Sequence, residues 1–62
     1  MSNFLTGSRV RRRETSLTGT VVDVIKGKVA DAVHVEWDET QLDSHWNRYQ
    51  RTWEPSAHLE RI

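Results

Sequence analysis

Val33, Val35 and Trp37 alternate with His34 and Glu36 in the stretch DAVHVEWDE. A period of two marks a strand with one face buried. Asp38 closes that pattern. Upstream, GTVVDVIKGK is β-branched and bounded by glycines, but its apolar residues Val21, Val22, Val24 and Ile25 do not alternate cleanly. A bulge near Asp23 accounts for the break in phase. SRVRRRE holds a single apolar residue, Val10, among arginines, and reads as a strand half-exposed to water. The polar stretch from Glu39 to Asn47 has no strong pattern and reads as a long loop. RYQRTWE follows as a fourth, weakly periodic strand. Pro55 stops it, because proline cannot donate to a ladder. PSAHL fits one helical turn with Pro55 at its start. LERI is a short last strand, with Leu59 and Ile62 expected to face inward.

Gly7, Gly19 and Gly27 punctuate the first half at strand-plus-turn intervals, the rhythm of a sandwich or barrel. No window keeps an apolar stripe at a 3.6-residue period for three turns, so a helical bundle is excluded. The expected fold is all-β: a small five-stranded SH3-like barrel with one short helical turn before the last strand. Residues 1–6 are expected to form an N-terminal tail and residues 7–62 the barrel. Ile62 is expected to complete the closure.

At 62 residues the chain is one domain, and a domain of that size buries only about 60% of its unfolded surface. Disulfides, metals or self-association usually supplement so small a core. Cysteine is absent, which removes disulfides and thiolate zinc sites. His34, His45 and His58 lack metal-site spacing. A homo-oligomer is the remaining expectation. No apolar run exceeds three residues, far short of a membrane span. Met1 to Thr6 is too short and polar for a signal peptide, so a cytoplasmic location is expected.

The formal net charge is zero but unevenly laid out. Residues 1–30 carry six cations against two anions, and residues 31–62 carry three against seven. In a barrel that alternates strands from both halves, these charges interleave. Arg9, Arg11 and Arg13 would share one strand face, with Arg12 opposite beside Val10. Such a run has two readings. It is either a phosphate-binding face for nucleic acid, or a set of partners for Glu36, Asp38 and Glu60 on neighbouring strands. The sequence pI of about 6.8 is low for a dedicated nucleic-acid binder.

Trp37, Trp46, Tyr49 and Trp53 concentrate the aromatic surface in the second half. Trp37 is in phase with Val33 and Val35 and reads as core. Trp53 is a core candidate too, beneath the helical turn. Trp46 and Tyr49 lie in or beside the polar stretch and are binding candidates, in a cage for a methylated cation or a groove for a peptide. Asp43 and His45 form an acid–base pair only if His45 folds back, and no nucleophile motif accompanies them.

Three segments resemble the plasmid-encoded type II, trimethoprim-insensitive dihydrofolate reductases. These are Phe4 and Gly7 with RVRRR, TGTVV at residues 18–22, and the ending PSAHLERI. They amount to about half the chain, and Lys26 to Arg51 does not match. The resemblance implies an SH3-like barrel and a homotetramer with a central pore. In that family NADPH and dihydrofolate meet in the pore, on a Val-Gln-Ile-Tyr run before the proline and a lysine in the first strand. By position the run falls on Arg51, Thr52, Trp53 and Glu54, none of which is retained. The lysine falls on Arg12, which keeps the charge and can pair with phosphate or carboxylate. Thr52 lacks the amide that donates and accepts toward both ligands. Trp53 crowds a narrow pore, and Glu54 repeated in each subunit repels a polyanionic cofactor.

The expectation is therefore a non-catalytic binding module with no cofactor. It takes a protein or peptide, or a second copy, through Trp46, Tyr49, Arg51 and Trp53, with Arg12 as a further candidate. The alternatives are an NADPH-dependent reductase relative with an altered site, and nucleic-acid binding through Arg9, Arg11, Arg12 and Arg13.

Overall fold

The alternation around Val33 puts one side of β3 (Ala32–Leu42) against the core. Val33, Val35 and Trp37 are buried there, while His34 and Glu36 stay partly exposed. The computed structural model describes residues 4–62. It adds β1 (Arg9–Arg12), β2 (Thr18–Ile25), β4 (Arg48–Pro55) and β5 (Leu59–Arg61), with a 3₁₀ turn over Ser56–His58 before β5. All pairings are antiparallel, in the order β4-β3-β2-β1-β5.

That order forces the sheet to curl. β4 and β5 are its opposite edges, yet only Ser56, Ala57 and His58 join them. Four strand spacings in a flat sheet come to about 19 Å. Four residue steps reach at most about 14 Å, and less as a 3₁₀ turn. The strands therefore wrap into an SH3-like barrel around one core of Phe4, Val10, Val21, Val33, Val35, Trp37 and Leu59, with Leu17 and Val24 packed against it. Phe4 brings the chain into the core ahead of β1, while Leu5 and Thr6 are exposed. Of the tail expected over residues 1–6, residues 1–3 lie outside the described residues.

The ladder of β2 and β3 shifts register between Val21 and Asp23, so Val22 is the bulged residue. The shift lets Val21 and Val24, an odd interval apart, both turn toward the core. Gly19 stands opposite Trp37 and leaves room for the indole. A Cβ on Gly19 would lie 2.6 Å from the Glu36 carbonyl oxygen and 3.0 Å from Trp37 Cε3.

Three expectations are corrected. β3 does not end at Asp38, and Glu39 to Asn47 is not a long loop. After an irregularity between Glu36 and Gln41 the ladder resumes at Gln41 and Leu42, opposite Tyr49 and Arg48, leaving only residues 43–47 as the turn. That part of the hairpin lies beyond the core, so both of its sides are wet and no alternation marks it. Ile62 does not close the barrel, because it is 63% exposed. A period of two sends Leu59 and Ile62, three residues apart, to opposite sides. Trp53 is not beneath the 3₁₀ turn, since it lies on the outward side of β4 and is 47% exposed.

Candidate binding face

Alternation along β4 separates the candidate residues. Arg51 and Trp53 face outward and Thr52 and Glu54 inward, while at the start of the strand Tyr49 is partly buried and Gln50 exposed. Register then sets each outward side chain beside one of β3: Trp53 opposite His34, and Arg51 opposite Glu36. The rings of His34 and Trp53 stack with centroids 4.4 Å apart and planes 14° from parallel. Arg51 Nε donates to Glu36 Oε2 at 2.8 Å. Tyr49 is partly buried near the bulged end of the hairpin.

Trp46 sits apart from that group, in the turn between β3 and β4, 80% exposed and with φ of 64°. A bulky residue rarely adopts a left-handed backbone. Here Asp43 fixes the turn. Its Oδ1 accepts the backbone N–H groups of His45 at 2.8 Å and Asn47 at 2.9 Å, and Trp46 N–H donates to the Asp43 carbonyl at 3.1 Å. These bonds, Asn47 first, hold the Asp43 carboxyl below the usual aspartate range. Asp43 is a turn cap, so no acid–base pair with His45 is formed.

Arg12 is on the other side of the sheet. One of its terminal nitrogens donates to Glu54 Oε1 at 3.3 Å, and its guanidinium lies 5.9 Å from the Trp37 ring centroid. Glu54, only 7% exposed, accepts from Thr52 Oγ1 at 2.8 Å, and Thr52 Oγ1 accepts from Trp37 Nε1 at 2.9 Å. Of the positions matched to the reductase site, Arg12, Thr52 and Glu54 form one closed network, while Arg51 and Trp53 face away from it.

The arginine run divides among partners. Arg9 forks onto Asp38, with one nitrogen 2.8 Å from Oδ1 and the other on Oδ2, and also donates to Thr20 Oγ1 at 2.8 Å. Thr18 Oγ1 donates to Asp38 Oδ2 at 2.7 Å. Arg9 first, then Thr18, pull the Asp38 carboxyl down to about 2, and Asp38 raises the Arg9 guanidinium in turn. Arg11 closes on Glu60. Arg11–Glu60 is the neighbouring-strand pair expected of that face, whereas Arg9 reaches across β2 to Asp38. Arg13 departs from them: its Nε donates to the Ala57 carbonyl at 2.9 Å, while Glu36 goes to Arg51.

His34 was readable only as an exposed strand histidine, and Asp23 carried no signal of its own. His34 stands in register between Asp23 on β2 and Trp53 on β4, which depends on two ladders, each interrupted by a register shift. Among the described residues no cluster of histidine and carboxylate groups could hold a metal ion, and no helix is long and apolar enough to cross a membrane. No family model, curated protein or solved structure matches the chain.

Proposed function

We propose that this chain is a non-catalytic binding module that takes a protein or peptide on the outward face of β3 and β4. The observation that carries this reading is the His34–Trp53 stack, in which the indole on the edge strand β4 is left about half in water against the imidazole of β3. Indole surface in that position is the material of interface hot spots. Arg51 flanks it with a guanidinium fixed by Glu36. Binders selected from a displayed random-peptide library are expected to shift the amide signals of His34, Arg51 and Trp53, and Trp53→Ala is expected to weaken them at least tenfold. Binders that leave those signals unmoved would overturn the reading.

A shared scaffold with the type II reductases is the second reading. The barrel supports it, as does the meeting of Arg12, Thr52 and Glu54, three positions that match the family's site. The Arg12–Glu54 pair argues against NADPH there, since a carboxylate already occupies the cation. Light scattering over a dilution series, with an NADPH titration, tests it. A persistent tetramer that binds NADPH would displace the binding-module reading, and a monomer leaves no pore.

A further inference from the structure

We propose that the partner is a basic, arginine-bearing segment, with Trp53 as the platform for a guanidinium and Asp23 as the carboxylate for a second cation. This rests on the reading above and names its ligand class. Two rows of register partners build the surface: Asp23, His34 and Trp53 across β2, β3 and β4, and next to them Ile25, Ala32 and Pro55. Strands about 4.8 Å apart put Asp23 and Trp53 about 10 Å from one another, with His34 between. Ile25 and Pro55 are exposed, which adds apolar surface beside the aromatic pair.

The geometry selects the cation. The stack covers one side of the Trp53 indole with His34, so a ligand meets a single ring face and not a cage. A planar guanidinium stacks on one such face, whereas methylated ammonium groups are held by several rings. Charge points the same way. Of the cations on the outward side of the sheet, Arg9 closes on Asp38, Arg11 on Glu60 and Arg51 on Glu36, and Lys26 at the end of β2 closes on Asp31. Glu14, Glu39 and Asp43 lie in turns or in the hairpin, so Asp23 is the carboxylate in register with His34 and Trp53 that none of these pairs takes up. Its Oδ1 accepts the Val24 N–H at 2.8 Å, and among the described residues no cation pairs with it. An uncompensated carboxylate beside an open indole favours a cationic segment and disfavours phosphate. β4 is also an edge of the sheet, so an extended segment can lie along it and pair main chain to main chain.

The test titrates the isotope-labelled full chain with an eight-residue peptide alternating arginine and threonine, and with its lysine, glutamine and glutamate counterparts. The arginine peptide is expected to shift Asp23, His34 and Trp53 and to bind several-fold tighter than the lysine peptide. Trp53→Ala is expected to weaken it at least tenfold, with Trp53→Val used if circular dichroism shows the alanine variant unfolded. Asp23→Asn, which keeps an acceptor for the Val24 N–H, is expected to weaken it about threefold and flatten its salt dependence. Equal shifts from the glutamine or glutamate peptide overturn the arginine assignment and leave the binding face standing. Shifts that follow the protein's own concentration, without peptide, make a second copy the occupant and overturn it as well. If no peptide moves these signals, both the assignment and the face are wrong.

Discussion

Replacing Gly19 with alanine tests the core more sharply than deleting a side chain. The new methyl carbon would lie 2.6 Å from the Glu36 carbonyl oxygen, 2.7 Å from Val35 Cγ1 and 3.0 Å from Trp37 Cε3. A side chain can swing away, but the carbonyl belongs to the ladder between β2 and β3 and cannot move without breaking it. Overpacking of this kind costs about 1–3 kcal/mol. The smaller conformational freedom of an unfolded alanine returns about 0.4–1 kcal/mol. Because the backbone carbonyl cannot yield, the upper end of that cost applies, and a net loss of about 2 kcal/mol is expected, out of the roughly 3–5 kcal/mol that a core of this size supplies. At about 4–8 °C per kcal/mol for a domain this small, the melting temperature falls by about 8–16 °C. Gly7→Ala is the comparison: nothing lies within 4 Å of its Cβ, and only its φ of 92° opposes substitution. Its loss is expected to be smaller, about 1 kcal/mol, as is typical of left-handed backbone. Thermal and urea melts of both variants decide the matter. A Gly19→Ala protein as stable as the parent would refute the close approach of β2 to β3 at Trp37.

Three further outcomes are expected. Arg12→Ala leaves the Glu54 carboxylate buried without its cation. Losing a partner at a fully buried pair costs about 3–5 kcal/mol; because the Arg12 side chain is 40% exposed, about 1–2 kcal/mol is expected in urea melts, partly recovered by adding Glu54→Gln. Asp38 has its carboxyl lowered from 3.8 to about 2 by Arg9 and Thr18. Its contribution is full above pH ~4 and disappears as pH falls toward ~2, so Asp38→Asn should flatten that part of a stability–pH curve. Ile62→Ser should change stability by less than about 0.5 kcal/mol, and a larger loss in the same melts would restore Ile62 to the closure of the barrel.

The core was legible because its signals are local. Val33, Val35 and Trp37 need nothing beyond alternation to declare their side, and the broken phase of Val21, Val22 and Val24 announces the bulge seen at Val22. Pro55 marks the start of the 3₁₀ turn by chemistry alone. What stayed hidden depends on register or on distance from the core. Leu42 and Arg48 pair in a part of the hairpin with water on both sides, where polar residues carry no phase. The size of Trp53 beside a turn suggests burial, and only its pairing with His34 reveals the outward side. The apolar character of Ile62 suggests an inward side chain, against the parity that Leu59 imposes. The aromatic candidates divide for the same reason, Trp46 going to the turn and Trp53 to the strand face.

The uneven charge of the two halves has a structural resolution that bears on recognition. Arg9, Arg11 and Arg12 come from the cation-rich half, and their partners Asp38, Glu60 and Glu54 come from the anion-rich one. The fold thus joins the halves by pairing their surpluses, and the net charge is zero. The two exposed pairs, Arg9–Asp38 and Arg11–Glu60, are worth about 0–1 kcal/mol each, so their main effect is on the field and not on stability. With Arg9, Arg11 and Arg12 neutralised at close range and Arg13 held on a carbonyl, little long-range potential remains to steer a polyanion, and screening removes most of what is left beyond about 8–10 Å. On the proposed reading, recognition then falls to groups at contact distance, and the Trp53 indole face with Asp23 in the same row outweighs the paired Arg9, Arg11 and Arg12 in choosing the partner.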